Sequence, residues 1–218
     1  SSYFCYNSRR KFVPTRIAMQ KRIENIWAHN VHLSCWEKDF VESVKEQQTR
    51  QRQLSPRQIK IIENIEEKIN PKNLLKKQQW RDSYNNEKRQ IANICAHYYN
   101  VTGYFTNLVE KILHEKNFIP TEKQWRSMCE NKYALKVRNA YESDPAFSVG
   151  AIAQFRKVSS YARRFPGQVQ NNLVVVVSNS ESIISASKGN RRYKVLPFGG
   201  AAPIYCEERD LKNARLKP

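Results

Sequence analysis

The sequence predicts an α+β protein in which a duplicated helical segment precedes a small β barrel. Three observations support this order. In the first 146 residues apolar side chains recur at helical spacing, as in Trp36, Phe40 and Val44. Part of that segment repeats itself at an offset of 68 residues. Five of the six glycines follow position 147, where the apolar runs become short and are broken by Gly, Pro and Asn.

Composition bounds the class of protein before any element is assigned. The chain has 218 residues, with 38 Lys and Arg against 20 Asp and Glu, a formal charge of +18. Its hydrophobic fraction of 40% is enough to build a core, which excludes a disordered basic tail. The longest unbroken apolar run, Leu173 to Val177, is far shorter than the roughly 20 residues of a membrane span. We therefore expect a soluble protein that folds.

The cysteines and the first residues of the sequence are used to predict the cellular compartment. Five scattered cysteines, at positions 5, 35, 95, 129 and 206, give an odd number without paired spacing. The sequence also does not open on a basic segment followed by an apolar stretch. We expect a reducing, cytoplasmic environment. The compact, Lys- and Asn-rich composition is also compatible with a bacteriophage protein that acts in its host cell.

The duplication lies inside a helical domain predicted for residues 14–145, after an N-terminal extension of residues 1–13. Its copies cover about 20–70 and 88–141. Ile26-Trp27-Ala28-His29 aligns with Ile94-Cys95-Ala96-His97, and further along Trp36 aligns with Tyr104 and Val41 with Val109. Two residues are then lost, and Ser55-Pro56-Arg57-Gln58 aligns with Thr121-Glu122-Lys123-Gln124. The agreement in spacing predicts two units of similar structure.

Helix starts divide each unit further. Ser55 and Thr121 are each followed three residues later by Gln, the pattern of a capping box, and Pro56 suits the first helical position. Ser34-Cys35-Trp36-Glu37 predicts another box, which the second copy lacks. Each unit is therefore predicted to contain about three helices, with residues 70–81 as a basic linker between the copies.

Two interpretations of the duplication remain open. The copies either form a helical scaffold that binds nothing, or present similar faces to a repetitive partner such as a nucleic-acid backbone. The equivalent histidines, His29 and His97, are interpreted as structural hydrogen-bonding residues, and Cys35 and Cys95 as core residues.

The segment 147–212 is predicted to form the barrel, with 213–218 as a tail. Five candidate strands lie at 147–156, 173–177, 182–186, 192–197 and 203–208. Asn179-Ser180 and Lys188-Gly189-Asn190 resemble tight turns between neighbouring strands. Five short strands in about seventy residues are too few for a sandwich and suit a small barrel.

A family resemblance follows from this segment. The pattern Val-Gly-x-x-x-x-Phe-Arg from Val149 to Arg156, a loop, and a meander that leads into Glu208-Arg209-Asp210-Leu211-Lys212 resemble small SH3-like barrels of the KOW or Tudor type. The resemblance covers residues 147–212 and no family is recognised for the whole chain. It implies a binding module for nucleic acid, ribosome, polymerase or peptide, without catalysis.

The candidate binding residues are chosen from the positively charged and aromatic residues of the C-terminal segment. Residues 147–218 carry twelve Lys and Arg against four Asp and Glu, a higher density of positive charge than in the first 146 residues. Cations set among aromatic rings suit single-stranded nucleic acid, because the cations contact phosphates and the rings stack on bases. The alternative is that the rings are core residues and the cations are solvated loops. The predicted contacts are Arg156, Lys157, Arg163, Arg164, Lys188, Arg191, Arg192 and Lys194 for phosphates, with Tyr161, Tyr193 and Phe198 for stacking.

Patterns for catalysis and for metals are not found, so we expect no catalytic residues, no metal ligands and no cofactor. The sequence has no phosphate-binding glycine loop and no CxxC pair, and its four histidines lack zinc-site spacing. A nuclease would need converging carboxylates. Two candidate sets exist, Glu63, Glu66 and Glu67 on a predicted helix and Glu207, Glu208 and Asp210 after a strand, and both are interpreted as non-catalytic.

The sequence therefore predicts a non-enzymatic accessory protein that binds DNA or RNA, single-stranded slightly favoured, in replication, transcription or an RNA-associated process. The alternative is an adaptor that docks on an acidic surface of a polymerase, helicase or ribosome. An open sheet face flanked by arginines would favour nucleic acid, whereas burial of the face around Tyr193 and Phe198 would favour the adaptor. No membrane partner is expected.

Overall fold

The computed structural model describes residues 16–157, 159–160 and 172–215. In this part of the chain, helices precede a β-sheet, which confirms the predicted α+β class. Among the described residues, none of the helices is both long and apolar enough to cross a membrane. The eight α-helices found there are α1 (Arg16–Ala28), α2 (Cys35–Thr49), α3 (Pro56–Ile69), α4 (Pro71–Ser83), α5 (Asn86–Thr102), α6 (Thr106–His114), α7 (Glu122–Cys129) and α8 (Lys132–Glu142).

The chain divides into two compact units between Gln79 and Trp80, inside α4. The division falls within the predicted helical domain rather than at its end near residue 146. The first unit has a core of aliphatic side chains from α1 to α3, centred on Ile26, Val41 and Ile62. The second unit holds α5 to α8 and the sheet, and its helices pack around Cys95, Met128 and Val137.

Local capping explains where several helices begin. At Ser34, Ser55 and Thr121 the side chain accepts a hydrogen bond from the backbone N–H three residues on. The side chain of the Glu or Gln at that position accepts a hydrogen bond from the backbone N–H of the cap residue. All three predicted capping boxes are confirmed. The first copy contains the three predicted helices, α1 to α3, and the second contains four, because Asn131 caps a further helix, α8. The linker between the copies forms α4.

The C-terminal part of the second unit forms one antiparallel sheet. Its order is β4-β3-β2-β1-β5, so the last strand returns to pair with the first, and β4 and β5 form the two edges of an open sheet. A short 3-10 helix, Glu208–Asp210, separates β4 from β5. The strands are β1 (Ile152–Phe155), β2 (Leu173–Glu181), β3 (Arg192–Pro197), β4 (Ile204–Glu207) and β5 (Leu211–Asn213).

Two of the predicted strand features are wrong. Residues 182–186 are not a strand, because Ile183 and Ala186 pack against the helical core of the second unit. Asn179 and Ser180 lie inside β2 rather than in a turn, and irregular pairing with β3 accommodates the polar end of that strand. The predicted turn at Lys188-Gly189 is confirmed, with Gly189 at a φ of +67°.

The inner face of the sheet covers its own small core. Alternate residues of the strands point to it, as expected from the two-residue period of a β-strand. Phe147, which precedes β1, packs against the same core. The buried strand residues are Ala153, Phe155, Val174, Val176, Tyr193, Val195, Cys206 and Leu211.

Candidate nucleic-acid interface

The outer face of the sheet is the exposed counterpart of this core. In β3, Tyr193 and Val195 are buried, whereas Arg192, Lys194 and Leu196 between and beside them are partly or fully exposed. In β4 the same alternation exposes Tyr205 beside buried Cys206. Pairing of β3 with β4 places Lys194 directly opposite Tyr205. Cations and an aromatic ring therefore share one face.

Tyr205 is the centre of this group. The Arg192 guanidinium lies 4.3 Å from the centroid of the Tyr205 ring, and the Lys194 ammonium lies 5.8 Å from it. Both distances are within the range of a cation–π interaction. The ring is 39% exposed. One aromatic side chain thus holds two cations side by side at the protein surface. We call Arg192, Lys194 and Tyr205 the outer-face cluster.

Two carboxylates lie opposite Arg192 in the sheet, Glu207 on β4 and Glu181 on β2. Glu207 lies opposite Arg192 in the sheet, yet its carboxylate pairs with Arg209 at 2.6 Å. Burial raises the pKa of Glu207, and the nearby Arg209 opposes that shift. The charge of Glu207 is thus neutralised mainly by Arg209. Glu181, which lies opposite Arg192 on β2, partly offsets the field of the two cations.

Arg191 does not belong to a phosphate-binding surface, and the prediction that it does is wrong. The residue is 8% exposed, and its guanidinium donates hydrogen bonds to the backbone carbonyls of Asn179, Tyr141 and Ser143. Tyr141 and Ser143 are at the C-terminal end of α8, where carbonyls lack helical partners and favour a positive charge. Arg191 therefore acts as a structural cap that ties β3 to α8.

Tyr193 is likewise not a stacking platform. Its side chain is fully buried. The hydroxyl donates to the Glu208 carboxylate at 2.7 Å and accepts from the Phe147 N–H at 3.4 Å. Burial, and next the hydrogen bond to Glu208, raise the pKa of Tyr193. The ring is part of the sheet core, where it meets Phe147 edge to face.

The other predicted contacts are spread over the sheet. Arg156 and Lys157 are exposed after β1, and the Arg156 Nε also donates to the Leu211 carbonyl at 2.9 Å. Lys188 is exposed in the turn before β3, and Phe198 is 36% exposed after it. Arg156 and Lys157 are thus separated from Arg192 by β2, and they do not form one cluster with it. Tyr161, Arg163 and Arg164 lie outside the described residues.

Sequence reasoning missed Tyr205, although a signal for it was present. Alternation in Ile204-Tyr205-Cys206 sets the Tyr205 ring on the face opposite to Cys206. The same alternation in Arg192-Tyr193-Lys194 separates Tyr193 from the two cations that flank it. The predicted site groups Tyr193 with the cations because it rests on adjacency along the chain and not on the two-residue period of a strand.

The remaining reactive side chains of the described residues include four cysteines. Cys95, Cys129 and Cys206 are buried free thiols, and burial raises the pKa of Cys206. Cys35 is exposed, so its predicted place in the core is wrong. No group of three or more His, Cys, Asp or Glu side chains converges on a metal-sized site among residues 16–157, 159–160 and 172–215.

Comparison of the chain with protein-family models, with curated proteins and with solved structures finds no match.

Proposed function

We propose that this protein is a non-enzymatic nucleic-acid-binding protein that holds an unpaired strand against the outer face of its sheet. The observation that carries the proposal is the outer-face cluster, in which Tyr205 holds Arg192 and Lys194 within 6 Å of its ring. An exposed ring with adjacent cations is the combination that single-stranded nucleic acid requires.

The cluster offers both kinds of contact. Guanidinium and ammonium groups bind phosphate, and Arg also presents a planar face on which a base can stack. Beyond it, Leu196 and Phe198 extend the exposed apolar surface along the same part of the sheet. Lys212, on β5 opposite Gln154, adds a cation at the far edge. The net charge of +18 would draw any polyanion toward the chain.

The fold supports the same proposal. The sheet has five antiparallel strands, the last of which pairs with the first. The resemblance of residues 147–212 to small SH3-like barrels stays a prediction and only supports the proposal. Such barrels present binding faces rather than catalytic centres, so the resemblance favours a module that binds without chemistry. DNA and RNA both satisfy this chemistry.

The test is a binding titration with a matched control. Arg192→Gln/Lys194→Gln removes both cations of the cluster, and Lys123→Gln/Lys136→Gln removes two exposed cations from α7 and α8. Fluorescence anisotropy with labelled single-stranded DNA, RNA and duplex DNA at several salt concentrations measures affinity and salt dependence. We expect the first pair to make the negative slope of log K against log salt shallower by about 1.4 for a single strand. Equal slopes in both variants would refute the proposal.

A second candidate is an adaptor that binds an acidic surface of a polymerase, helicase or ribosome. Two observations favour it. Tyr193 is buried, as the adaptor hypothesis expects, although Phe198 is 36% exposed, and the outer face has an apolar half where Ile152, Val177 and Leu196 are each more than a third exposed. Such a mixture of apolar and basic side chains also fits a protein partner. Wild-type protein that binds no nucleic acid at low salt would favour this candidate.

A further inference from the structure

Each copy of the helical repeat contains the same pair of polar residues, which the proposed function does not use. Asn25 and His29 in the first copy correspond to Asn93 and His97 in the second, at the offset of 68. The pattern is Asn-Ile-x-Ala-His in both. In a helix, residues four apart lie on one face, so each pair projects to the same side.

Both pairs line a cleft, each within its own unit. The cleft of the first unit has a volume of about 290 Å³ and is bordered by the pair together with Glu66, Ile69, Asn70 and Pro71. The cleft of the second unit, about 370 Å³, extends along α5 and is closed by residues at the end of β2. These volumes lie at the lower end of the range for small-ligand sites. The two clefts share the Asn–His pair, whereas the rest of their linings comes from different elements, α3 and the start of α4 in the first unit and α5, Tyr141 and the end of β2 in the second.

The second cleft is polar without a dominant charge. Amides line its α5 wall, and hydroxyls line the other side, where Gln90 donates to the Tyr141 hydroxyl at 3.4 Å. Arg89 borders it, yet its guanidinium donates to the carbonyls of Lys116 and Phe118 at 2.9 and 3.3 Å. Ile94 and Ile183 supply apolar surface. The lining amides and hydroxyls are those of Asn86, Gln90, Asn93, Tyr141, Ser180 and Ser182.

The first cleft has a similar balance. Its single carboxylate, Glu66, accepts two hydrogen bonds from Arg22, at 2.7 and 2.6 Å, which neutralise its charge. The His29 Nδ1 lies 2.9 Å from the backbone carbonyl oxygen of Asn25. A carbonyl only accepts, so Nδ1 carries the proton of this bond, and in the neutral ring Nε2 is an acceptor. Ile69 and Pro71 provide apolar surface.

These linings select a class of ligand. A free anion is disfavoured, because one cleft contains a carboxylate and the cation at the other is already engaged by carbonyls. Apolar surface together with amide, imidazole and hydroxyl groups suits a flat, uncharged ring with donors and acceptors on its edge. An unpaired nucleobase has this chemistry, and Asn and Gln side chains pair with adenine through two hydrogen bonds.

We propose that each helical copy binds one unpaired nucleobase in its cleft through the Asn–His pair, with adenine preferred. This inference rests on the proposed function, to which it adds a base-reading site separate from the outer-face cluster. The cluster would hold the backbone without regard to sequence, and the two clefts would read bases.

The test uses the full chain and two labelled 20-nucleotide strands, oligodeoxyadenylate and an abasic strand of equal length. Asn25→Ala/Asn93→Ala truncates both pairs. Asn100→Ala/Asn139→Ala is the control, with the same substitution at exposed helical positions outside the clefts. We expect the cleft variant to bind oligodeoxyadenylate roughly tenfold or more weakly than wild type, and to bind the abasic strand equally well. The control should match wild type on both.

Two results would overturn the inference. If the cleft variant binds oligodeoxyadenylate as tightly as the control, the clefts do not read bases, and the proposed function stands. If wild type binds neither strand, the proposed function fails. In that case adenosine is titrated into the protein and followed by NMR of the Asn25 and Asn93 side-chain amides. Unchanged chemical shifts would refute base binding in the clefts. Should Asn93→Ala not fold, His97→Ala replaces it, because His97 is exposed.

Discussion

The two faces of β3 differ completely in what their side chains do, although the residues alternate one by one. Tyr193 on the inner face is fully buried and bonded to Glu208, whereas Arg192 and Lys194 on the outer face surround the exposed ring of Tyr205. Basic and aromatic letters next to each other in a strand therefore do not form one site. Inner-face changes should affect stability, and outer-face changes should affect binding.

The largest expected effect is on Arg191, the residue that precedes β3. Arg191→Met leaves three carbonyls, those of Asn179, Tyr141 and Ser143, without their buried cationic donor. We expect the free energy of unfolding to fall by about 3 kcal/mol or more. Urea denaturation measures it. The neighbouring Arg192→Met is the control, with an expected change below about 1 kcal/mol. A similar loss in both variants would contradict the structural role given to Arg191.

Next in size is Tyr205→Ala, which removes the ring that holds the two outer-face cations. We expect the affinity for single-stranded nucleic acid to fall about tenfold, since stacking on one aromatic residue is worth roughly 1–3 kcal/mol. Tyr205→Phe keeps the ring and should retain most of the affinity. Anisotropy titration compares them. The importance of the ring would be disproved by equal losses in both variants.

Tyr193→Phe tests the inner face with a smaller change. It deletes only the hydroxyl, which donates to Glu208 and accepts from the Phe147 N–H. The free energy of unfolding should fall by about 1–2 kcal/mol, because one of the lost bonds involves a charged group. Affinity for nucleic acid should not change. If the affinity for nucleic acid fell while the free energy of unfolding stayed unchanged, Tyr193 would have a role in binding after all.

The smallest effect concerns pH and Glu207, which lies across from Arg192. Burial raises the pKa of Glu207 in the folded protein. The folded state then binds a proton more readily than the unfolded state, so this residue's contribution to stability is greatest below its unfolded pKa, about 4.3, and declines as pH rises through the folded pKa. Relative to Glu207→Gln, wild type should lose a small part of its stability over that interval. If the free energy of unfolding of wild type and of Glu207→Gln changed with pH in parallel, this prediction would be refuted.

Much of the helical segment could be predicted because its signals are local. A capping box at Ser34, Ser55 or Thr121 depends on four adjacent residues, and all three formed as predicted. The linker could not be predicted to be a helix from its sequence. Because α4 has no buried residues, it needs no repeating apolar face that a sequence pattern could reveal. Asn131 was not recognised as the cap of α8.

The sheet was harder to predict because its pairing is long-range. Residues 182–186 have strand-like composition, yet Ile183 is buried among helices that are distant in sequence. β5 has only three residues and exists because β1 offers it a partner. For the candidate site, Arg192 and Lys194 lie on the outer face, and their predicted contact with phosphates stays a prediction. Arg191 and Tyr193 were misassigned, because only tertiary contacts reveal that they are buried.

The open sheet also bears on how this protein behaves at high concentration. An edge strand carries unpaired backbone groups that can recruit a strand from another molecule. Here the two edges are β4, with four residues, and β5, with three. β5 also carries Lys212, and β4 ends beside the Glu207–Arg209 ion pair. Such short, charged edges give a second chain little to extend, so the molecule resists edge-to-edge aggregation without closing its sheet.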